Sequence, residues 1–569
     1  GSALRVRIRG QGSINAGNDP LYIVDGVQFN NSNDASNVSN NPLASINPND
    51  IETMEILKDA AASIYGSQAA NGVVIITTKR GKQGKTQITF NTYQGRVVPI
   101  QQADMMNSQD FLNYRLDAFR NNYERFAITP ERAEGLARRD AFNGFTSADF
   151  PALGLFKLST AAGQTAFGLL PETEITNFIN SVETFDWQDE IFSRPGRISN
   201  YELSARGGSD NTRFFLSGGY NKQEGQIKQF DFERANIRFN IDHDLNKKVT
   251  IETQLNASTI MQNATVTGGS QFENPTFAGL LILPFNNFYN TDEEGDFKEP
   301  LAGILQENVL KSLAYNERNL RTNQLNGSFA LNYKIIDGLT FRSLFGLDYR
   351  AISENRYTDP RTFGGRNNAG SAFAQYQTNT NWITTQQLNY GYQINPNNRL
   401  DVMLGAEYRA EQNEAFSVNA QGFPTPQFRT IQSAAEPTGA GGFFTEWKNA
   451  GVFTNVKYAF AKKLYLNGTL RYDGSSRFGF DKRWGLFPSL GASYILSEEE
   501  FMKNISFIDD LKVRASYGTA GNNRIGNFDS RGLVGSAGAG NYLNTPGLAI
   551  SGLANNQLSW ETQITTNLG

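Results

Sequence analysis

The sequence predicts an all-β fold: an antiparallel wall of about fourteen strands, preceded by a small α+β module. Three observations carry that prediction. From residue 200 onward, apolar residues recur at every second position. The links between these runs alternate between tight turns and longer polar stretches. Composition agrees: 54 glycines and 12% aromatics suit many turns and strands. No apolar run reaches the roughly 18 residues that a membrane helix requires.

The N-terminal module spans residues 1–82. Residues 4–9 alternate apolar and basic side chains, as a strand with one wet face does. Residues 21–27 read as an apolar strand ending in Asp25 and Gly26. Asp59 suits the N-cap of a short Ala-rich helix, because its carboxylate accepts from the open N–H groups of the first turn. Gly66 ends that helix, since it adopts the left-handed conformation without a Cβ penalty. Asn71 and Gly72 then turn the chain into residues 73–78, a β-branched run that reads as a buried strand.

Residues 88–93 form a further short strand. The stretch 94–198 departs from that pattern and reads as a helical and irregular loop insertion. Helical spacing runs over 108–121 and 129–140, with one more turn at 187–192. Loops of this length are usually functional or disordered. The wall comprises residues 83–569, this insertion included. In 464–472, Leu464, Leu466, Gly468, Leu470 and Tyr472 share one face, and Tyr465, Asn467, Thr469 and Arg471 the other. Segments 235–242, 341–350 and 400–409 repeat the pattern, with Arg238, Asp242, Arg342, Asp348, Arg350, Asp401 and Glu407 on the polar phase. Alternation alone fits a soluble sandwich as well. Connection lengths discriminate: tight turns at 208–212, 244–248, 336–338, 395–398 and 459–463 alternate with links at 262–318, 351–375, 410–444 and 523–557. Short turns on one rim and long loops on the other characterise an outer-membrane barrel. Residues 497–510 break the rule as a short helix on the short-turn side.

The charge of −4 leaves no basic footprint, so nucleic acid is not an expected partner. Without cysteine there are no disulfides and no thiolate metal sites. His243, the single histidine, lies beside a tight turn and reads as a solvated turn residue, not a general base. Gly10, Gly12 and Gly17 lack the spacing of a dinucleotide fingerprint, and no phosphate-cradling P-loop occurs. The acidic stretch 292–299 lacks the calcium-loop register and reads as a solvated loop. No catalysis, cofactor or metal is expected. The mean hydropathy of −0.46 is compatible with a membrane barrel, in which only alternate residues meet lipid.

Four blocks resemble a known family: Arg-Ile-Arg-Gly at 7–10, Pro-Leu-Tyr-Ile-Val-Asp-Gly-Val at 20–27, Ile-Glu at 51–52, and the block 57–79 with Leu-Lys-Asp-Ala-Ala-Ala and Ala-Asn-Gly-Val-Val-Ile-Ile-Thr-Thr-Lys. They are similar to the plug of TonB-dependent outer-membrane transporters of the SusC-like branch. Asp25, Gly26, Asp59, Gly66, Asn71 and Gly72 are its plug-motif residues here. Segments 201–208, 232–240, 471–478 and 560–569 resemble barrel strands of the same branch. The stretches 94–198, 262–318 and 410–444 match nothing and name no substrate-binding residue.

The resemblance implies a transmembrane β-barrel of about twenty-two strands with a plug in its lumen. About eight strands would then follow Gly569, and a TonB box would precede Gly1. It further implies import of a large solute, an oligosaccharide or a peptide, across the bacterial outer membrane. TonB, outer-membrane lipid and a SusD-like surface lipoprotein are the implied partners. By family analogy, the basic plug residues Arg7, Arg9 and Lys58 pair with barrel carboxylates, Arg9 and Lys58 meeting Glu561 on the last strand. A passive porin-like channel and a non-transporting glycan-binding β-protein are the competing readings.

Overall fold

The computed structural model describes residues 6–8, 18–30, 35, 41–58, 64–65, 70–98, 102–142, 145, 158–161, 164–167, 171–192, 194–264, 273–290, 297–300, 307–502, 507–535, 545 and 547–569. Its N-terminal sheet holds β1 (Leu21–Val24), β2 (Val27–Phe29), β3 (Ile51–Leu57) and β4 (Val73–Thr78), in the order β2-β1-β4-β3. Strands β1 and β4 are parallel, and the other two pairs antiparallel. Asp25 and Gly26 do not end a single strand, as the sequence suggests, but reverse the chain between β1 and β2. Their φ values of 49° and 87° are both positive, as a two-residue hairpin turn matching the strand twist requires. Gly72 also has positive φ, leading directly into β4. Tyr22, Val24, Phe29, Ile46, Val74 and Ile76 close the apolar interior. Asp59, Gly66 and Arg9 lie outside the described residues. So does most of the expected strand at 4–9, whose described residues 6–8 are not in a strand.

Strand β5 (Gly84–Val97) opens the wall. The insertion then supplies α1 (Ser108–Tyr123), α2 (Pro130–Ala141), the hairpin β6 (Leu158–Ala161) and β7 (Gln164–Phe167), α3 (Glu172–Ser181) and α4 (Trp187–Phe192). Asn107 and Thr129 cap α1 and α2 with side-chain oxygens, satisfying N–H groups of the first turn. Helix α3 was not legible in the pattern. The insertion has a core of its own, in which Leu112, Leu116, Ile175 and Phe178 pack with Phe285 of the later 264–316 link. Trp187 and Ile191 pack likewise on α5 (Pro275–Leu281) and α6 (Val309–Tyr315) of that link.

The wall continues through β8 (Gly196–Gly208), β9 (Thr212–Glu224), β10 (Asp231–Asn246), β11 (Val249–Asn263), β12 (Glu317–Ile336), β13 (Leu339–Thr358) and β14 (Ser371–Asn395). It runs on through β15 (Asn398–Gln421), β16 (Glu436–Phe460), β17 (Leu464–Ser475), β18 (Trp484–Ile495) and β19 (Lys512–Asn522). A minor hairpin, β20 (Leu533–Gly535) and β21 (Ala549–Gly552), precedes β22 (Glu561–Leu568). Fourteen strands pair antiparallel from β5 and β8 to β19 and β22, and β5 and β22 form the two edges. The links at 359–370 and 422–435 are shorter than the expected 351–375 and 410–444, because β13 to β16 each run 20 to 25 residues. A tilted strand crosses a bilayer in about ten residues, so these strands rise beyond it. The expected helix at 497–510 is a single 3₁₀ turn, Leu496–Glu498, among the described residues.

Which face is buried decides between barrel and sandwich. On β10, Ile237 is 55% exposed while the adjacent Arg238 is 2% exposed. Leu325, Phe345 and Leu404 are exposed; Gln324, Asn326, Asp348 and Arg409 are buried. A soluble sheet buries its apolar face. This one buries its polar face and presents the apolar face outward, as a wall facing lipid does.

Candidate functional site: the seam between plug and wall

The buried polar face of the wall meets the N-terminal module along a seam of charges and hydrogen bonds. Its centre is Arg238, placed inward by the two-residue period of β10. Arg238 Nη1 lies 3.3 Å from Asp25 Oδ2, and Arg238 Nε 3.5 Å from Asp50 Oδ2. The hairpin turn holds Asp25 in place, because Thr78 donates to it twice, from its backbone N at 2.9 Å and its hydroxyl at 2.7 Å. Asn240, two residues along the same face, donates to Thr78 Oγ1 and to the Lys79 carbonyl. Asp50 ends the 3₁₀ turn Pro48–Asp50, and its Oδ1 accepts from Ser217 Oγ on β9 at 2.7 Å. Burial pushes the Asp50 carboxyl above the ordinary carboxylate range, against the opposing pull of Ser217 and Arg238.

The central cluster is incompletely bonded. Arg238 Nε and Nη2 and Asp50 Oδ2 have no hydrogen-bond partner among the described residues, although the charges are close. A buried ion pair stabilises a structure only where hydrogen bonds satisfy its remaining atoms. This one holds position more than it adds stability.

Other contacts spread the seam around the module. Arg234 on β10 donates to the Ala44 and Ile46 carbonyls. Asn49 donates to Glu202 on β8, and Arg206 lies 3.5 Å from Glu52. Arg409 on β15 donates to the Gln28 side chain, while Asn381 on β14 donates to the Gln28 carbonyl. Arg80, between β4 and β5, pairs with Asp242 at 3.2 Å and Glu252 at 3.0 Å. Arg471 reaches the Ile64 carbonyl. Apolar contact is local: a Cβ on Gly346 of β13 would stand 2.5 Å from Val27 Cγ2, so the glycine admits β2 against the wall.

Residues 1–73 match the TonB-dependent receptor plug domain, and residues 262–569 match the TonB-dependent receptor-like β-barrel. The chain belongs to the TonB-dependent receptors. It is 28% identical over 583 residues to TonB-dependent receptor P3 of Formosa agariphila, covering all of this chain and 50% of that protein. It is 27% identical over 546 residues to TonB-dependent receptor SusC of Bacteroides thetaiotaomicron, covering 92% of this chain and 48% of the relative. The chain spans about half the length of the curated relatives it matches. Among solved structures, the RagAB peptide transporter superposes with a TM-score of 0.80 at 25% identity, over 99% of this chain and 60% of that one.

The fold is therefore a receptor plug against an outer-membrane barrel wall, as the sequence blocks imply. The receptor's seam differs in sign from the family-based expectation. At its centre the plug supplies carboxylates, Asp25 and Asp50, and the wall supplies the cation Arg238. Arg80 alone among these plug-side partners follows the expected polarity. Lys58 follows β3, an edge strand of the plug sheet; it is exposed and makes no ion pair among the described residues. Glu561 accepts from Asn522 on the neighbouring strand. Arg7 is exposed as well, and Arg9 lies outside the described residues. Asp25 and Gly26, singled out from the sequence, form the turn that faces Arg238. His243 sits by the turn after β10, its Nδ1 2.7 Å from Thr212 Oγ1. Asp50, Thr78, Arg80, Arg234 and Arg409 escaped the sequence reading. The available signal was a charged residue on the inward phase of a strand, which marks one partner but not the other.

Proposed function

We propose that this receptor imports a large solute, an oligosaccharide or a peptide, across the outer membrane by energised remodelling of the plug, without enzymatic activity of its own. The observation that carries the reading is the seam itself: a plug with an intact apolar interior, joined to the wall by polar contacts that water replaces on release. Such contacts make a two-state element that an external pull can bias. A SusD-like lipoprotein over the long-loop rim and TonB on the periplasmic side complete the mechanism proposed. The relatives support it, being named SusC and a peptide transporter.

The competing reading is a passive channel. Proteoliposomes holding the full-length receptor distinguish the two. A plugged importer stays nearly closed to small sugars, and whole cells lose uptake when the proton gradient is dissipated. Rapid swelling in arabinose, or uptake indifferent to the gradient, would establish a porin.

A further inference from the structure

Above the plug, on the long-loop side, two arginines flank one indole and a third stands near them. Arg409 on β15 and Arg477 in the 476–483 link place their guanidinium carbons 4.7 and 4.4 Å from the Trp447 ring centre. Arg524, at the start of the 523–560 link, donates to the plug's Pro20 carbonyl at 3.1 Å. Arg477 donates from Nε to Asn527 and from Nη1 to the Asn523 carbonyl, both at 2.8 Å. Neither Arg477 nor Arg524 makes an ion pair among the described residues, and Arg477 Nη2 and Arg524 Nε and Nη1 have no partner there. Burial lowers both to about 10, with Arg409 adding to the fall and the Glu411, Asp529 and Asp19 carboxylates opposing it, so each stays cationic at neutral pH.

Two buried polar atoms in the same cluster are also unanswered. Trp447 is 2% exposed and Asn523 0% exposed, yet Trp447 Nε1 and Asn523 Oδ1 have no hydrogen-bond partner among the described residues. Both belong to residues that Arg477 touches. An orphan donor, an orphan acceptor and unpaired guanidinium N–H groups are together the complement of an anion flanked by hydroxyls. We infer that Arg477, Arg524, Trp447 and Asn523 form a subsite for the acidic group of an oligosaccharide, a uronate carboxylate or a sulfate ester. The open guanidinium N–H groups fit either oxyanion as charge-assisted donors, one arginine to each oxygen. The cation–π contact with Trp447 helps hold the Arg477 guanidinium in place. A sugar hydroxyl beside the acidic carbon donates and accepts at one atom, answering Asn523 and Trp447 together. An aspartyl or glutamyl side chain would instead set methylenes against those polar atoms.

The inference rests on the import reading for the ligand being a transported solute. The test is equilibrium binding, which needs neither TonB nor an energy source. A failure here therefore leaves import standing, and loss of uptake with intact binding counts against import alone. Full-length receptor in detergent would be titrated with tri-galacturonate, maltotriose and tri-aspartate. Tri-galacturonate is expected to bind at least about tenfold more tightly than either comparator, weakening as sodium chloride rises. R477Q with R524Q should abolish that preference, and R477K with R524K should restore part of it, which a merely structural role would not do. Equal binding of the two sugars, preference for the peptide, or R477Q/R524Q binding that matches wild type at unchanged thermal stability would each overturn the assignment.

Discussion

Tyr22, Val24, Phe29, Val74 and Ile76 close the interior of the plug by apolar burial, whereas Asp25, Gln28, Asp50 and Arg80 join its outer surface to the wall through ion pairs and hydrogen bonds. The two regions lie only a strand's width apart and respond to water in opposite ways. Fully burying a Val, Ile or Phe side chain contributes about 1.5–3 kcal/mol, which is lost outright on exposure. A hydrogen bond across the seam contributes a net of about 0.5–1.5 kcal/mol, because water supplies a substitute when it opens. On the proposed mechanism, a pull on the plug is expected to separate it from the wall before it unravels the plug itself.

Substituting across both regions tests that contrast. With the chain free of cysteine, Ser45→Cys, at a fully buried seam position, gives a thiol whose labelling rate reports seam opening. Arg238→Met should have the largest effect on the seam, about 3–5 kcal/mol, since it removes the cation that pairs with both Asp25 and Asp50. Thiol labelling should accelerate while amide exchange in β4 stays slow; fast β4 exchange would mean that seam and interior are one cooperative unit. Ile76→Ala should act in reverse, costing the plug interior about 2–5 kcal/mol, read as faster β4 exchange. Gly346→Ala should cost about 1–3 kcal/mol by pressing a methyl against Val27 and Ile383, and raise labelling modestly; no change would show that the seam accommodates bulk freely.

The smallest effect expected is on pH. The docked Asp50 carboxyl titrates above its ordinary value of 3.8, so the docked plug holds this proton more tightly than the released one. Its contribution to docking is complete below that ordinary value and is lost as pH rises through the raised one. Acidification from neutral should slow labelling by more than the fall in thiolate alone, so the rate of Asp50→Asn divided by that of the parent reporter should rise as pH falls. A ratio that does not change with pH would assign the response to another group.

Much of the wall was legible because strand period and loop length are local properties. Arg238, Asp348 and Arg350 were placed on the polar phase from neighbouring residues alone, and all three are buried inward. Loops such as 410–444 were overestimated, because strands above the bilayer no longer need an apolar face and lose the alternating signal; helix α3 was missed as well. Asp25 and Gly26 were recognised as a motif, but the hairpin they make follows from positive φ at both residues, which the apolar run around them concealed.

By itself, then, the sequence determined the alternation of faces, the strand count and the family blocks, all carried by residues within a few positions of each other. The partners across the seam, and the sign of the charges there, were decided only by tertiary structure. Asp25 and Arg238 stand 213 residues apart, and no local pattern encodes which inward charge a plug turn will meet. Docking of the plug surface on the wall chose the pair, and burial favours charges of opposite sign there.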